Sequence, residues 1–275
     1  MKQFHFQKEH GFMIGVAVFA ALFLFAGIML CLEYSDQKQS ADAFSDIVAM
    51  VQTEPAQETV PEEHPNIVAE IAPGETHPEM TAYEKYAAVY ERNHDFVGWV
   101  SIDDTNINYP VMQSPDEPNF YLKHAFDRSY SDYGVPYVQE NCTLGQSDNI
   151  VIYGHHMNNG SMFADLCNYE KQDFYESHKT IRFDTLEDFG TYEIIAVFKT
   201  VAYSEDGFKY YHFVDADSET ASDDYIAQCK ALSLYDTGVT AKFGDRLITL
   251  STCEYSRANG RMVVVAKLVS NDAGD

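Results

Sequence analysis

Residues 246–270 read RLITLSTCEYSRANGRMVVVAKLVS. Two apolar, β-branched runs, Arg246–Ser251 and Met262–Val269, flank a polar stretch that ends in Asn259-Gly260. Branched side chains pack well on a pleated surface, and Asn-Gly favours a turn, so the segment predicts strand, loop, strand. Cys253 falls at the end of the first strand, and Arg261 directly precedes the second.

The same pattern extends outward from this pair. Phe96–Ile102, Asn106–Met112, Val135–Val138, Asn149–Tyr153, Thr180–Phe183 and Thr191–Thr200 read as further strands. Asp103-Asp104, Ser114-Pro115 and Asp188–Gly190 supply turns between them. About eight strands with few helices predict a mostly β domain, either a sandwich or a closed barrel. Thr81–Asn93 reads as an amphipathic helix, with Tyr83, Tyr86, Ala87 and Tyr90 at helical spacing. Further helical stretches are expected at Ser161–Tyr169, Lys171–His178 and Ser218–Leu234.

Upstream, Gly11–Leu32 holds no charged residue across 22 positions. At about 1.5 Å per residue this crosses the roughly 30 Å hydrocarbon core of a bilayer. It exceeds the apolar region of a cleaved signal peptide, about 7–15 residues, so we read 11–32 as a signal-anchor. Lys2 and Lys8 precede it, while Glu33 and Asp36 follow. The positive-inside rule therefore puts residues 1–10 in the cytoplasm and the remainder outside. Residues 33–78 read as an acidic, proline-containing linker, with a short helix fitting at Asp42–Gln52 because Phe44, Ile47 and Val48 share a face. The folded domain is expected over 79–275.

Composition narrows the function. Eighteen Lys and Arg against 43 Asp and Glu give a net charge of −25. Such an excess of acid argues against nucleic acid as a partner. The five cysteines are too few for a disulfide scaffold and form no zinc motif, and no calcium loop is present. Cys142, Cys167 and Cys229 read as buried thiols, with a disulfide between two of them as the alternative outside the cell. No metal or organic cofactor is implied.

A thiol at a strand end, beside a polar loop with an arginine, suits an exposed nucleophile. On its own Cys253 would more readily be a buried small hydrophobe. A second strand, Asn149–Tyr153, runs into Gly154-His155-His156, and a histidine there could do the acid and base work that a thiol needs. Either histidine would serve, and Arg257 rivals Arg261.

These residues carry a resemblance. TLSTC at 249–253 with Gly260-Arg261 and MVVVAKLV resembles the active-site strand pair of sortases. VIYGHHM at 151–157, followed by NNGSMFADL at 158–166, is similar to their histidine segment. INYPVMQ at 107–113 and Tyr121-Leu122 are similar to class B members. The resemblance covers roughly 80–270. It implies an eight-stranded β-barrel with an N-terminal helix and a long helix between the sixth and seventh strands, behind one transmembrane helix.

The resemblance also implies a membrane-anchored cysteine transpeptidase. Its substrates would be secreted proteins bearing a C-terminal sorting signal, cleaved through a thioester. Its acceptor would be an amine of a peptidoglycan precursor or a pilin. A Cys-His peptidase without amine transfer, or a non-enzymatic anchored surface module, would be the alternatives. Cys253 matches the nucleophile, His155 the family histidine and Arg261 the family arginine. Leu122, Ser251 and Glu254 match substrate-groove positions, and the insertion Val201–Val214, with Tyr203, Phe208, Tyr210 and Tyr211, should complete the groove. Some class B enzymes carry an Asp where this chain has Tyr255, which leaves no obvious carboxylate to orient the histidine. With unperturbed pKa values near 8.5 for Cys and 6.5 for His, a thiolate–imidazolium pair would be a minor species at neutral pH.

Overall fold

Strands β7 (Leu247–Glu254) and β8 (Gly260–Ser270) pair antiparallel from Leu247↔Lys267 to Glu254↔Gly260, as the two apolar runs predict. The first strand extends three residues beyond Ser251 and carries Cys253 within it. Gly260 closes the ladder because a Cβ there would stand 2.4 Å from the Glu254 carbonyl oxygen. The computed structural model describes residues 2–52, 80–205 and 207–270.

The other strands are β1 (Phe96–Ser101), β2 (Asn108–Met112), β3 (Tyr137–Val138), β4 (Asn149–Tyr153), β5 (Thr180–Thr185) and β6 (Thr191–Val201). They form a closed barrel in the order β1-β2-β3-β4-β7-β8-β6-β5. Pairing of β1 with β5, from Gly98↔Thr185 to Ser101↔Arg182, makes the closure and settles the choice between sandwich and barrel. β3 is shorter than the expected run; Pro136, just before it, has no N–H to give a ladder and contributes only its carbonyl, to Met112. The barrel interior is apolar and fully buried, with Val100, Val111, Ile152, Phe183, Val197, Leu250 and Val264 among its side chains.

One pairing matters most for function. β4 runs parallel to β7, from Asn149↔Leu247 to Tyr153↔Ser251. Parallel neighbours finish at the same end of a sheet. The residues after Tyr153 and the last residues of β7 therefore meet at one end of the barrel.

Four α-helices are described. α2 (Ala82–Arg92) opens on a capping box in which Thr81 and Glu84 satisfy each other's backbone amides. Its Tyr86 is buried and donates to Asp184 at 2.6 Å. α3 (Gln172–Ser177) follows a 3₁₀ turn, Ala164–Glu170, which stands where a longer helix is expected from Ser161. α4 (Glu219–Leu232) lies between β6 and β7, capped by Ser218, with Tyr225, Ile226 and Cys229 buried.

The chain divides into two units, 1–46 and 47–275. α1 (Lys2–Gln52) is long and apolar enough to cross a membrane by length and composition, and its side chains from Phe12 to Leu32 are exposed. It continues through 33–52, where the linker is expected to begin. The reason is local: no Gly or Pro occurs between Gly27 and Pro55, and charge alone does not stop a helix. The short helix expected at 42–52 is its final part. Residues 53–79, the rest of the linker, lie outside the described residues.

Candidate active site

A groove of about 720 Å³ opens at the barrel end where β4 and β7 finish. Cys253, His155 and Arg261 all line it, and so do Leu122 and Ser251. Side chains on a strand alternate between faces, so Ser251 and Cys253 share one side of β7. Cys253 is opposite Arg261 in the β7–β8 register, which puts both side chains on that same side. Arg261 is half-buried and donates from Nη1 to the Gly260 carbonyl at 2.9 Å.

His155 is held by three features. Thr252 Oγ1 donates to the Gly154 carbonyl at 2.8 Å, tying the residue before it to β7. Its own carbonyl accepts from the Phe163 amide at 2.8 Å. Gly154 lies so close to the buried Phe163 that a Cβ would meet the ring at 2.6 Å. The ring itself is oriented by the Leu122 carbonyl, 2.7 Å from Nε2. A carbonyl only accepts, so Nε2 carries the hydrogen and Nδ1 is the nitrogen left to exchange protons. The orienting group that the sequence lacks as a carboxylate is thus a backbone oxygen.

Burial pushes the His155 imidazole below its ordinary value, and Lys123 adds to this. The bond to Leu122 and the charge of Asp132 pull the other way without overcoming it. Three other thiols are pushed up by burial, Cys142 and Cys167 to about 11 and Cys229 to about 12. All three are free, so the alternative of a disulfide is not realised.

Two alternatives are separated by position. His156 does not line the groove; its Nδ1 faces the backbone of Cys253 and the thiol of Cys167. Arg257 is exposed in the loop beyond β7 and also stands outside the lining.

Glu254 departs from expectation. The next residue after Cys253 points away from the groove, as alternation along a strand requires. Its buried carboxylate accepts from the Ser256 amide and hydroxyl at 2.8 and 2.7 Å and lies 3.6 Å from Lys199. Burial works against its charge, but these hydrogen bonds and Lys199 prevail and hold the carboxyl below its ordinary range.

The 201–214 insertion behaves as expected in part. Tyr203, Tyr210 and Tyr211 line the groove, with Tyr203 at a positive φ of 59° and its side chain 83% exposed. Tyr210 shares a 2.6 Å hydrogen bond with Ser251, and burial raises its phenol to about 12. Phe208 instead packs against Phe198 and Tyr225.

Sequence reasoning missed other lining residues, Asn119, Tyr137, Gln139 and Tyr153 among them. Tyr137 donates to Asn119 at 2.8 Å, and Tyr153 donates to Gln139. Tyr137 and Tyr153 are register partners of β3 and β4, so the paired aromatics at two strand ends were the available signal.

Comparison with known proteins agrees with this architecture. Residues 100–269 match the family model of the sortase domain. Sortase B of Listeria monocytogenes is 32% identical over 256 residues, covering 92% of this chain and 94% of that protein. Sortase B of Staphylococcus aureus is 34% identical over 190 residues, covering 67% of this chain and 75% of that protein. A solved S. aureus sortase B–substrate complex superimposes with a TM-score of 0.65 at 31% identity, over 71% of this chain and 89% of that one. Sortase B from B. anthracis gives 0.69 at 27% identity, over 86% of this chain and 99% of that one. The barrel, its helices and these relatives lead to one conclusion: the chain belongs to the sortase family, as a class B-like cysteine transpeptidase.

Proposed function

We propose that Cys253 is the nucleophile, His155 the general acid and base, and Arg261 the group that stabilises the developing oxyanion. The observation that carries this reading is their convergence on one groove at the end of β4 and β7. The Cys253 thiolate attacks the scissile carbonyl of a sorting signal, and the carbonyl electrons move to oxygen beside the Arg261 guanidinium. Collapse expels the amine, which takes a proton from His155, and leaves a thioester on Cys253. An incoming amine gives its proton to His155 as it attacks the thioester, and the thiolate is restored.

The residues that line the groove support a polypeptide substrate. Leu122 and the tyrosines of 201–214 offer apolar faces, while Asn119, Gln139 and Ser251 offer hydrogen bonds, a mixture suited to an extended polypeptide. The solved S. aureus relative bound to its substrate supports this class. We assign the substrates as secreted proteins with a C-terminal sorting signal, and the acceptor as a cell-wall precursor or pilin amine. The apolar part of α1 supports a single-pass anchor, with the N-terminus in the cytoplasm and the barrel outside the cell.

The test uses the full chain in detergent micelles, with peptides carrying NPQTN-, NPKTG-, SPKTG- and LPXTG-like signals, with and without diglycine. Cleavage and a glycine adduct, both lost in Cys253→Ala, are expected by mass spectrometry. Cleavage that survives Cys253→Ala overturns the assignment of the nucleophile, and cleavage without an adduct marks a hydrolase.

A further inference from the structure

We infer that His156 is a positioning residue, whose Nδ1–H holds the backbone of the nucleophile in place of a missing strand. The argument starts from the ladder between β4 and β7. Carbonyls along a strand alternate in direction, so those of Ser251 and Cys253 face the same neighbour. Ser251 accepts from the Gly154 amide at 3.1 Å. Continued parallel pairing would bring the His156 amide to Cys253 two residues further on. β4 ends at Tyr153, however, and His156 instead bridges back to Met162. The Cys253 carbonyl would be left without its ladder partner.

The imidazole takes that place. His156 Nδ1 stands 3.0 Å from the Cys253 carbonyl oxygen. Because that oxygen can only accept, Nδ1 must carry the hydrogen. The Cys167 thiol lies 3.8 Å from the same oxygen and 3.3 Å from Nδ1, a second donor at the same point. The grip also works in reverse: Tyr255 donates to the His156 carbonyl at 2.8 Å, and its ring packs 4.9 Å from the imidazole. Residues 253 and 255 are thus held by the side chain and backbone of 156. Since His156 adjoins His155, the same contacts fix the distance between the acid-base and the nucleophile. His156 itself stays outside the lining of the groove.

This inference rests on Cys253 being the nucleophile, and the two can fail separately. The full chain is labelled with ¹⁵N-histidine in detergent micelles, and long-range ¹H–¹⁵N correlation reads the ring tautomer. His156, assigned by loss of its signals in His156→Asn, should carry its hydrogen on Nδ1. A hydrogen on Nε2 alone overturns the grip, whatever the enzyme cleaves. With a peptide that the wild type cleaves, His156→Leu should lower kcat roughly ten- to a hundredfold and change KM less than about twofold. His156→Asn, whose side-chain N–H falls where Nδ1–H stood, should recover most of the loss. His156→Gln, which reaches as Nε2 does, should not. Wild-type kcat in His156→Leu, or His156→Asn no better than Leu with both folded by circular dichroism, overturns the inference. Cleavage that survives Cys253→Ala refutes the nucleophile instead, whatever the His156 variants do.

Discussion

Cys253 and Arg261 stand directly opposite each other across the β7–β8 ladder, eight residues apart in sequence. Opposed side chains leave an antiparallel sheet on one face, with Cβ atoms about 5 Å apart. In the proposed mechanism, a guanidinium so placed stabilises the carbonyl oxygen under attack by the thiol. Arg261→Ala is expected to lower kcat/KM by about 10²–10³ through kcat, the loss seen when an oxyanion donor is removed. Arg261→Lys should recover part of it, since a point charge lacks the planar fork. Steady-state kinetics with a cleaved peptide decide this, and a full rescue by lysine would reduce the role to charge alone.

His155 should titrate below 6.5, because burial disfavours its charged form. The neutral imidazole is then the majority form at pH 7. Lys123→Gln is expected to raise the midpoint: it removes a repelling charge and frees Asp132, its 2.7 Å partner. NMR titration of the ring carbons measures both, and a wild-type midpoint above 6.5 would reject the burial argument. The same depression affects stability. The unfolded chain binds the proton first, so stability present above about pH 6.5 is lost as pH falls through the lower folded value.

Glu254 should matter to folding and not to substrate. Its bonds to Ser256 and its proximity to Lys199 belong to the barrel rim. Glu254→Gln is expected to cost about 1 kcal/mol at neutral pH while KM changes less than about twofold. The folded carboxyl is held low, so the wild type's advantage is present above about pH 4.3 and fades as pH falls through the folded value. Thermal unfolding of the two proteins across pH reads it directly. A large rise in KM would return Glu254 to the groove.

Gly154→Ala should be destabilising by about 1–3 kcal/mol, because its methyl group meets the Phe163 ring in a packed core. The same shift would displace His155, so kcat should fall as well. Pairing it with Phe163→Leu tests the cause. The double variant should be more stable than the sum of the two single changes predicts, since the smaller side chain admits the methyl. Additive effects would place the strain elsewhere.

Cys253, His155 and Arg261 were visible in the sequence because each sits at the boundary of a strongly apolar run, and runs are a property of contiguous chain. The eight strands, the capped helix before β1 and the helix before β7 were legible for the same reason. The extent of α1 was misjudged from charge, although the absence of Gly and Pro through 33–52 was there to be read.

What remained for the tertiary structure were choices of direction. Neighbours on an extended chain point apart, so one of His155 and His156 had to face the groove, and only the pairing of β4 with β7 decides which. The same alternation sends Cys253 into the groove and Glu254 away from it. The lining residues Asn119, Gln139 and Tyr153, and the Leu122 carbonyl that orients His155, come from segments distant in sequence. The sequence by itself determined which residues could do the chemistry, since local pattern and side-chain type are written residue by residue. Only the closed barrel decided which of them meet, because meeting depends on register between strands that are distant in sequence.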